Sequence, residues 1–85
     1  MGEETLFKFE KKMNKIEISE HIDKISEKLK ADEPITFESD KSVKLTPSAQ
    51  PEFEIKVEEE SDGDISLEME IEWNKKDEST DLEIG

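Results

Sequence analysis

The chain contains no cysteine, which removes both a disulfide framework and zinc thiolate sites from consideration. It contains no arginine either: the 12 basic residues are all lysine, set against 25 acids for a net charge of −13. So negative a field repels nucleic acid and anionic membranes, because both are held through cationic contacts to phosphate, and direct binding to either is not expected. Glycine is confined to Gly2, Gly63 and Gly85, so no glycine-rich loop is available to cradle a phosphate. No apolar run is long enough to span a bilayer, and the start Met1-Gly2-Glu3-Glu4 lacks the basic region of a signal peptide. The expectation is a cytoplasmic protein of one domain that carries no cofactor. At 85 residues its core is small and its stability marginal.

High charge with few apolar residues also describes disordered chains. Here, however, the apolar residues recur at strict periods. Between residues 51 and 73, Phe53, Ile55 and Val57 alternate with Glu52, Glu54, Lys56 and Glu58, and Ile65, Leu67, Met69, Ile71 and Trp73 alternate with Ser66, Glu68, Glu70 and Glu72. A period of two sends successive side chains to opposite faces of a strand, so this region predicts a hairpin with one apolar and one acidic face. Asp62-Gly63 resembles a two-residue turn, but that register sets Val57 against Glu68 and buries a carboxylate. A three-residue loop, Ser61-Asp62-Gly63 with Gly63 left-handed, pairs Val57 with Leu67, Ile55 with Met69 and Phe53 with Ile71 instead. On the outer face that register sets Glu54 opposite Glu70 and Glu52 opposite Glu72, and leaves Lys56 opposite Glu68 as the one favourable pair.

Upstream the period changes. Ile18, Ile22, Ile25 and Leu29 fall at i, i+4, i+7 and i+11, one stripe of an α-helix, and Asn14 with Glu17 has the spacing of a capping box. The helix is expected over residues 15–30, ending before Pro34. Residues 5–11 alternate enough for a first strand with Phe7 and Phe9 on one face. Two short runs around Ser39-Asp40-Lys41 predict a further hairpin in which Phe37 faces Val43 and Ile35 faces Leu45. Pro47 and Pro51 bracket a connector. Residues 75–85 lose the alternation and read as a disordered acidic tail.

Together these elements predict an α+β domain over residues 4–74. A single helix packs on one face of a mainly antiparallel five-stranded sheet, in the order β-α-β-β-β-β with strand order 2-3-4-5-1. The helix stripe meets a sheet face of Phe9, Ile35, Phe37, Val43, Leu45, Phe53, Ile55, Val57, Leu67, Met69, Ile71 and Trp73.

Several of these segments carry a resemblance. Leu6-Phe7-Lys8, the capped helix ending Lys28-Leu29, Pro34-Ile35-Thr36, Ser42-Val43-Lys44-Leu45, Pro51-Glu52-Phe53-Glu54-Ile55-Lys56-Val57 and Leu67-Glu68-Met69-Glu70-Ile71-Glu72-Trp73 follow one another as in the amphi-Trp domain family. These are small archaeal and bacterial proteins with amphipathic strands ending in tryptophan, and the resemblance points to an archaeal source. It spans about residues 4–74 and rests on order and spacing. Lysine in place of arginine and the abundance of isoleucine set this chain apart from haloarchaeal members. The resemblance implies no activity, so no catalytic residues carry over.

The residues themselves offer no catalytic reading either. His21 lies three positions after Ile18, at the border of the helix stripe, with no cysteine to activate and no serine placed beside it. Paired carboxylates are plentiful, but acid–base work needs their pKa values driven apart in a water-excluded cleft, and a flat face provides none. A non-enzymatic protein is expected. Residues 58–64 hold five acids in seven positions, and Glu58, Glu60, Asp62 and Asp64 are weak candidates for a hard cation, although the offsets are not those of an EF-hand. A solvated turn is the favoured reading there, with diffuse cation association on the acidic face.

Trp73 shares the parity of Ile71 and Met69, which favours a place in the core, while an exposed tryptophan would anchor a partner. The favoured function is a protein-interaction module for an unknown protein partner, with Glu54, Lys56, Glu68, Glu70, Glu72 and Trp73 as the candidate interaction face. An acidic mimic of nucleic acid and a cation-binding or salt-adaptation protein are the alternatives. With −13 on every copy, a monomer or weak dimer is expected.

Overall fold

The computed structural model describes residues 2–78, which divide between Thr46 and Pro47 into two compact units. The first contains α1 (Lys15–Ala31) followed by β1 (Ile35–Glu38) and β2 (Ser42–Leu45). Helix α1 starts where the capping box predicts. The Asn14 side chain accepts from the Glu17 N–H at 2.8 Å, and the Glu17 carboxylate accepts in return from the Asn14 N–H at 3.3 Å, so two otherwise orphaned donors are satisfied.

The C-terminus of α1 closes less conventionally. Asp32 takes a left-handed conformation, φ 58° and ψ 41°. Its N–H reaches the Leu29 carbonyl at 3.3 Å, while the Glu33 N–H reaches that of Lys28 at 3.0 Å. This is the Schellman pattern, with aspartate standing where glycine is usual. An apolar contact commonly fastens this motif; here Lys28 Nζ and Glu33 Oε1 form an ion pair at 3.2 Å in that place.

Strands β1 and β2 pair antiparallel in the expected register, Ile35 with Leu45 and Phe37 with Val43. The Ser39 N–H closes the connection on the Lys41 carbonyl at 2.8 Å. Ile35, 7% exposed, is the one buried hydrophobic side chain among the described residues. The N-terminal segment contributes aromatic cover: Phe7 stacks on Phe37, with ring centroids 5.6 Å apart and planes 25° from parallel.

The second unit is the hairpin of β3 (Glu52–Glu59) and β4 (Ile65–Glu72), followed by a 3-10 turn at Lys75–Asp77. Its register is the one demanded by matching apolar faces: Phe53 with Ile71, Ile55 with Met69, Val57 with Leu67. The reversal is a three-residue loop. Glu60 N–H donates to the Asp64 carbonyl, Gly63 N–H to that of Glu60, each at 2.8 Å, and Gly63 has φ +94° as the loop requires.

The sheet architecture differs from expectation. Four strands form two separate two-stranded antiparallel sheets, β1-β2 and β3-β4, and the helix is the first element. The single five-stranded sheet in the order β-α-β-β-β-β, and its strand order 2-3-4-5-1, do not form. Residues 5–11 join no ladder; their aromatic side chains are used against Phe37 and His21 instead. Each hairpin closes through a three-residue loop at small entropic cost, whereas pairing residues 5–11 with β4, as the expected order requires, closes a loop of most of the chain. Pro47 and Pro51, lacking N–H donors, lie in the connector between β2 and β3, outside both ladders.

The expected core is correspondingly reduced. Phe9, Phe53, Ile55, Val57, Leu67 and Met69 are 50–66% exposed, and Ile18, Ile22 and Leu29 of the helix stripe are 40–43% exposed. Of the segment read as a disordered tail, residues 75–77 form the 3-10 turn, while residues 79–85 lie outside those described.

Candidate functional site

Alternation places Glu52, Glu54, Lys56 and Glu58 of β3 on one face with Ser66, Glu68, Glu70 and Glu72 of β4. The register then determines who meets whom. Glu52 stands across from Glu72 and Glu54 across from Glu70, so two like-charged pairs occupy adjacent positions at the open end of the hairpin. Lys56 is the sole cation on this face. Its Nζ lies 3.7 Å from Glu58 Oε2 on its own strand and 3.9 Å from Glu68 Oε1 across the ladder. Both pairs are solvent-exposed, so each contributes little to stability.

The consequence of this crowding appears at Glu70. Its carboxyl is held above its ordinary value of 4.5 chiefly by a hydrogen bond with the Glu54 carboxyl, which requires a proton between the two, and further by the negative charge of Glu72. Glu54, Lys56, Glu68 and Glu70 border a shallow depression on this face. It is open to solvent and holds no histidine, hydroxyl or N–H donor set aimed at a reacting atom; what it offers is a dense array of acceptors for cationic or N–H groups.

Trp73 does not join that array. It is half-buried, and its indole Nε1 donates to Glu78 Oε2 at 3.2 Å. The 3-10 turn makes this contact possible: Asn74 Oδ1 accepts from the Lys76 N–H at 2.9 Å, turning the chain back so that Glu78 reaches the ring. Of the candidate cation ligands, Glu60, Asp62 and Asp64 converge at the β3-β4 loop, with carboxylate oxygens all within 4.8 Å of one another. Glu58 belongs instead to the strand face, beside Lys56. The convergence has a local cause, since Asp62 Oδ1 accepts from the Asp64 N–H at 3.1 Å and shapes the turn. Through one oxygen each, three exposed carboxylates supply half or fewer of the oxygens a calcium ion takes.

Sequence reasoning missed a groove in the first unit. Phe7, Phe9, Met13, Ile18, Ile22 and Phe37 line it, and His21 and Lys11 stand at its border. His21 lies against Phe9, with ring centroids 6.2 Å apart. The signal was the pair Phe7 and Phe9, which alternation assigned to a strand rather than to a lining.

The whole chain, residues 1–85, matches the Amphi-Trp domain family. No curated protein and no solved structure showed significant similarity to it. The chain belongs to the Amphi-Trp domain family.

Proposed function

We propose that this Amphi-Trp domain protein is a non-enzymatic interaction module of the cytoplasm that presents the acidic face of β3-β4 to a basic region of a partner protein. One observation carries the reading: Glu52 against Glu72 and Glu54 against Glu70 are arranged so that folding alone gains nothing from them. A cationic partner gains from both pairs at once, and its positive charge offsets the like charges that stand across the ladder. Among the described residues no helix is long and apolar enough to cross a membrane.

The reading is tested by adding a lysine-rich peptide to isotope-labelled protein. Shifts are expected at residues 52–56 and 68–72. The double variant Glu54→Gln with Glu70→Gln is expected to bind several-fold more weakly at low salt, and about 1 M sodium chloride to abolish binding, because the exposed charges are then screened over about 3 Å. Peptide shifts confined to other surfaces overturn the proposal. Competition of a captured basic protein by DNA would favour the nucleic-acid mimic. Calcium-induced shifts restricted to residues 58–64, where Glu60, Asp62 and Asp64 converge, would favour the cation-binding protein.

A further inference from the structure

The opposite face of the same hairpin has no role in that reading. Phe53, Ile55 and Val57 of β3 and Ile65, Leu67 and Met69 of β4 share it, each 50–70% exposed. A two-stranded hairpin with an open apolar face is at best marginal in water, and gains stability only when that face is covered. The described strands form no wider sheet that would support it. We infer that this face is a homodimer interface, on which the hairpin of a second copy seats face to face to make a four-stranded β-sandwich.

Area, symmetry and charge placement each support a second copy as the occupant. At about 100 Å² of exposed apolar area per side chain, these six residues offer about 600 Å² per copy. That is at most about 1,200 Å² for the pair, the lower edge of specific interfaces. The face carries apolar side chains throughout at Phe53, Ile55, Val57, Leu67 and Met69. It can therefore satisfy an isologous two-fold contact, with the Phe53 end of one hairpin over the Val57 end of the other. Glu59, across from Ile65 next to the loop, then falls at the rim of the contact.

Electrostatics decides between this arrangement and other self-contacts. Sheets in a sandwich lie about 10 Å apart, so carboxylates on the two outer faces end up about 20 Å from one another, roughly two Debye lengths at 0.1 M salt. Any contact through the acidic faces would instead place like charges together. The −13 of each copy is thus a penalty that salt removes, while the apolar contact is left intact. Each dimer would display two acidic faces, pointing away from each other.

The test uses the full chain. Sedimentation velocity from micromolar to near-millimolar protein is expected to show a monomer–dimer equilibrium that tightens roughly tenfold between about 0.05 M and about 1 M sodium chloride. In a mixture of labelled and unlabelled copies, intermolecular NOEs are expected between the Phe53 ring and the methyl groups of Val57 and Leu67. Leu67→Lys is expected to abolish the dimer, whereas Glu70→Lys, on the other face, leaves it in place. The Leu67→Lys monomer retains binding of the lysine-rich peptide if the acidic-face proposal holds, so the two proposals fail separately.

Should Leu67→Lys unfold the hairpin, the wild-type NOEs decide alone. A monomer at every concentration in 1 M salt overturns the inference. It is equally overturned by a dimer whose intermolecular NOEs run only along strand edges or to α1, or by NOEs joining these side chains to α1 within one chain.

Discussion

Replacing Asp32 by glycine should stabilise the protein, an unusual sign for removing a polar residue at a helix end. Asp32 is held at φ 58° and ψ 41° to close α1. That conformation brings Cβ against the following carbonyl and costs an L-residue about 1–2 kcal/mol, with aspartate near the lower figure because its short polar side chain tolerates the region. Glycine removes that cost but brings extra freedom to the unfolded chain, which returns about 0.5 kcal/mol. Aspartate also places negative charge at the negative end of the helix dipole, and its removal adds about 0.3–1 kcal/mol at low salt. The net expectation is about 1 kcal/mol of stabilisation, or about 4–8 °C in melting temperature for a chain of this size. Thermal melts by circular dichroism at 222 nm, with Asp32→Asn and Asp32→Ala beside Asp32→Gly, separate the two contributions. Asparagine should recover only the charge part, and alanine should gain little or lose stability, since it sheds the charge but tolerates the left-handed region poorly. The reasoning is refuted if glycine destabilises, or if alanine stabilises as much as glycine.

Asn14→Ala removes the acceptor of the Glu17 N–H and should cost about 1 kcal/mol in the same melt, whereas Asn14→Ser should be close to neutral. Gly63→Val should weaken the hairpin by more than about 1 kcal/mol through the backbone alone, because a Cβ at position 63 meets nothing within 4 Å while φ is +94°. Trp73 fluorescence during urea unfolding reads this out, and an unchanged midpoint would contradict the loop assignment. Glu70 gives a pH dependence of definite sign. Its folded pKa lies above 4.5, so the folded state holds the proton more tightly. Its stabilising contribution is therefore complete below the unfolded value and is lost as pH rises through the folded one. Glu70→Gln should flatten that part of the profile, and Glu70→Lys at low salt should raise the midpoint at neutral pH; a lowered midpoint would mean that Glu70 has a structural partner.

The local features were legible because local physics determines them. Asn14 and Glu17 are three residues apart, so the capping box is read from spacing alone, and the β3-β4 register follows once Glu68 is refused a place opposite Val57. The Glu54–Glu70 pair came with that register, since a face once assigned fixes every opposite neighbour. What covers an apolar face is another matter. Alternation in residues 51–73 states that Phe53 and Leu67 share a side, but carries no information on whether a helix, a strand or another molecule lies over them. Phe7 and Phe9 show the same limit: their spacing fits a strand, yet it is the stacking of Phe7 on Phe37 that engages the segment. Asp32 escaped notice because the usual glycine is absent there, and the Trp73 bond to Glu78 because it depends on the 3-10 turn rather than on parity.

Two-stranded sheets leave every strand with an unpaired edge, and in β3 and β4 those edges flank the most aggregation-prone composition in the chain, alternating isoleucine, phenylalanine, valine and leucine. Fibrils add such strands in register at a repeat of about 4.8 Å, which would stack each glutamate of this hairpin directly on its own copy in the next molecule. The carboxylates at positions 52, 54, 68, 70 and 72 thus act as gatekeepers built into the strand itself, a modest cost to a hairpin but prohibitive to an endless sheet. Protonation dismantles that protection, so the acidic conditions that steady the folded hairpin are also those under which an opened one would polymerise.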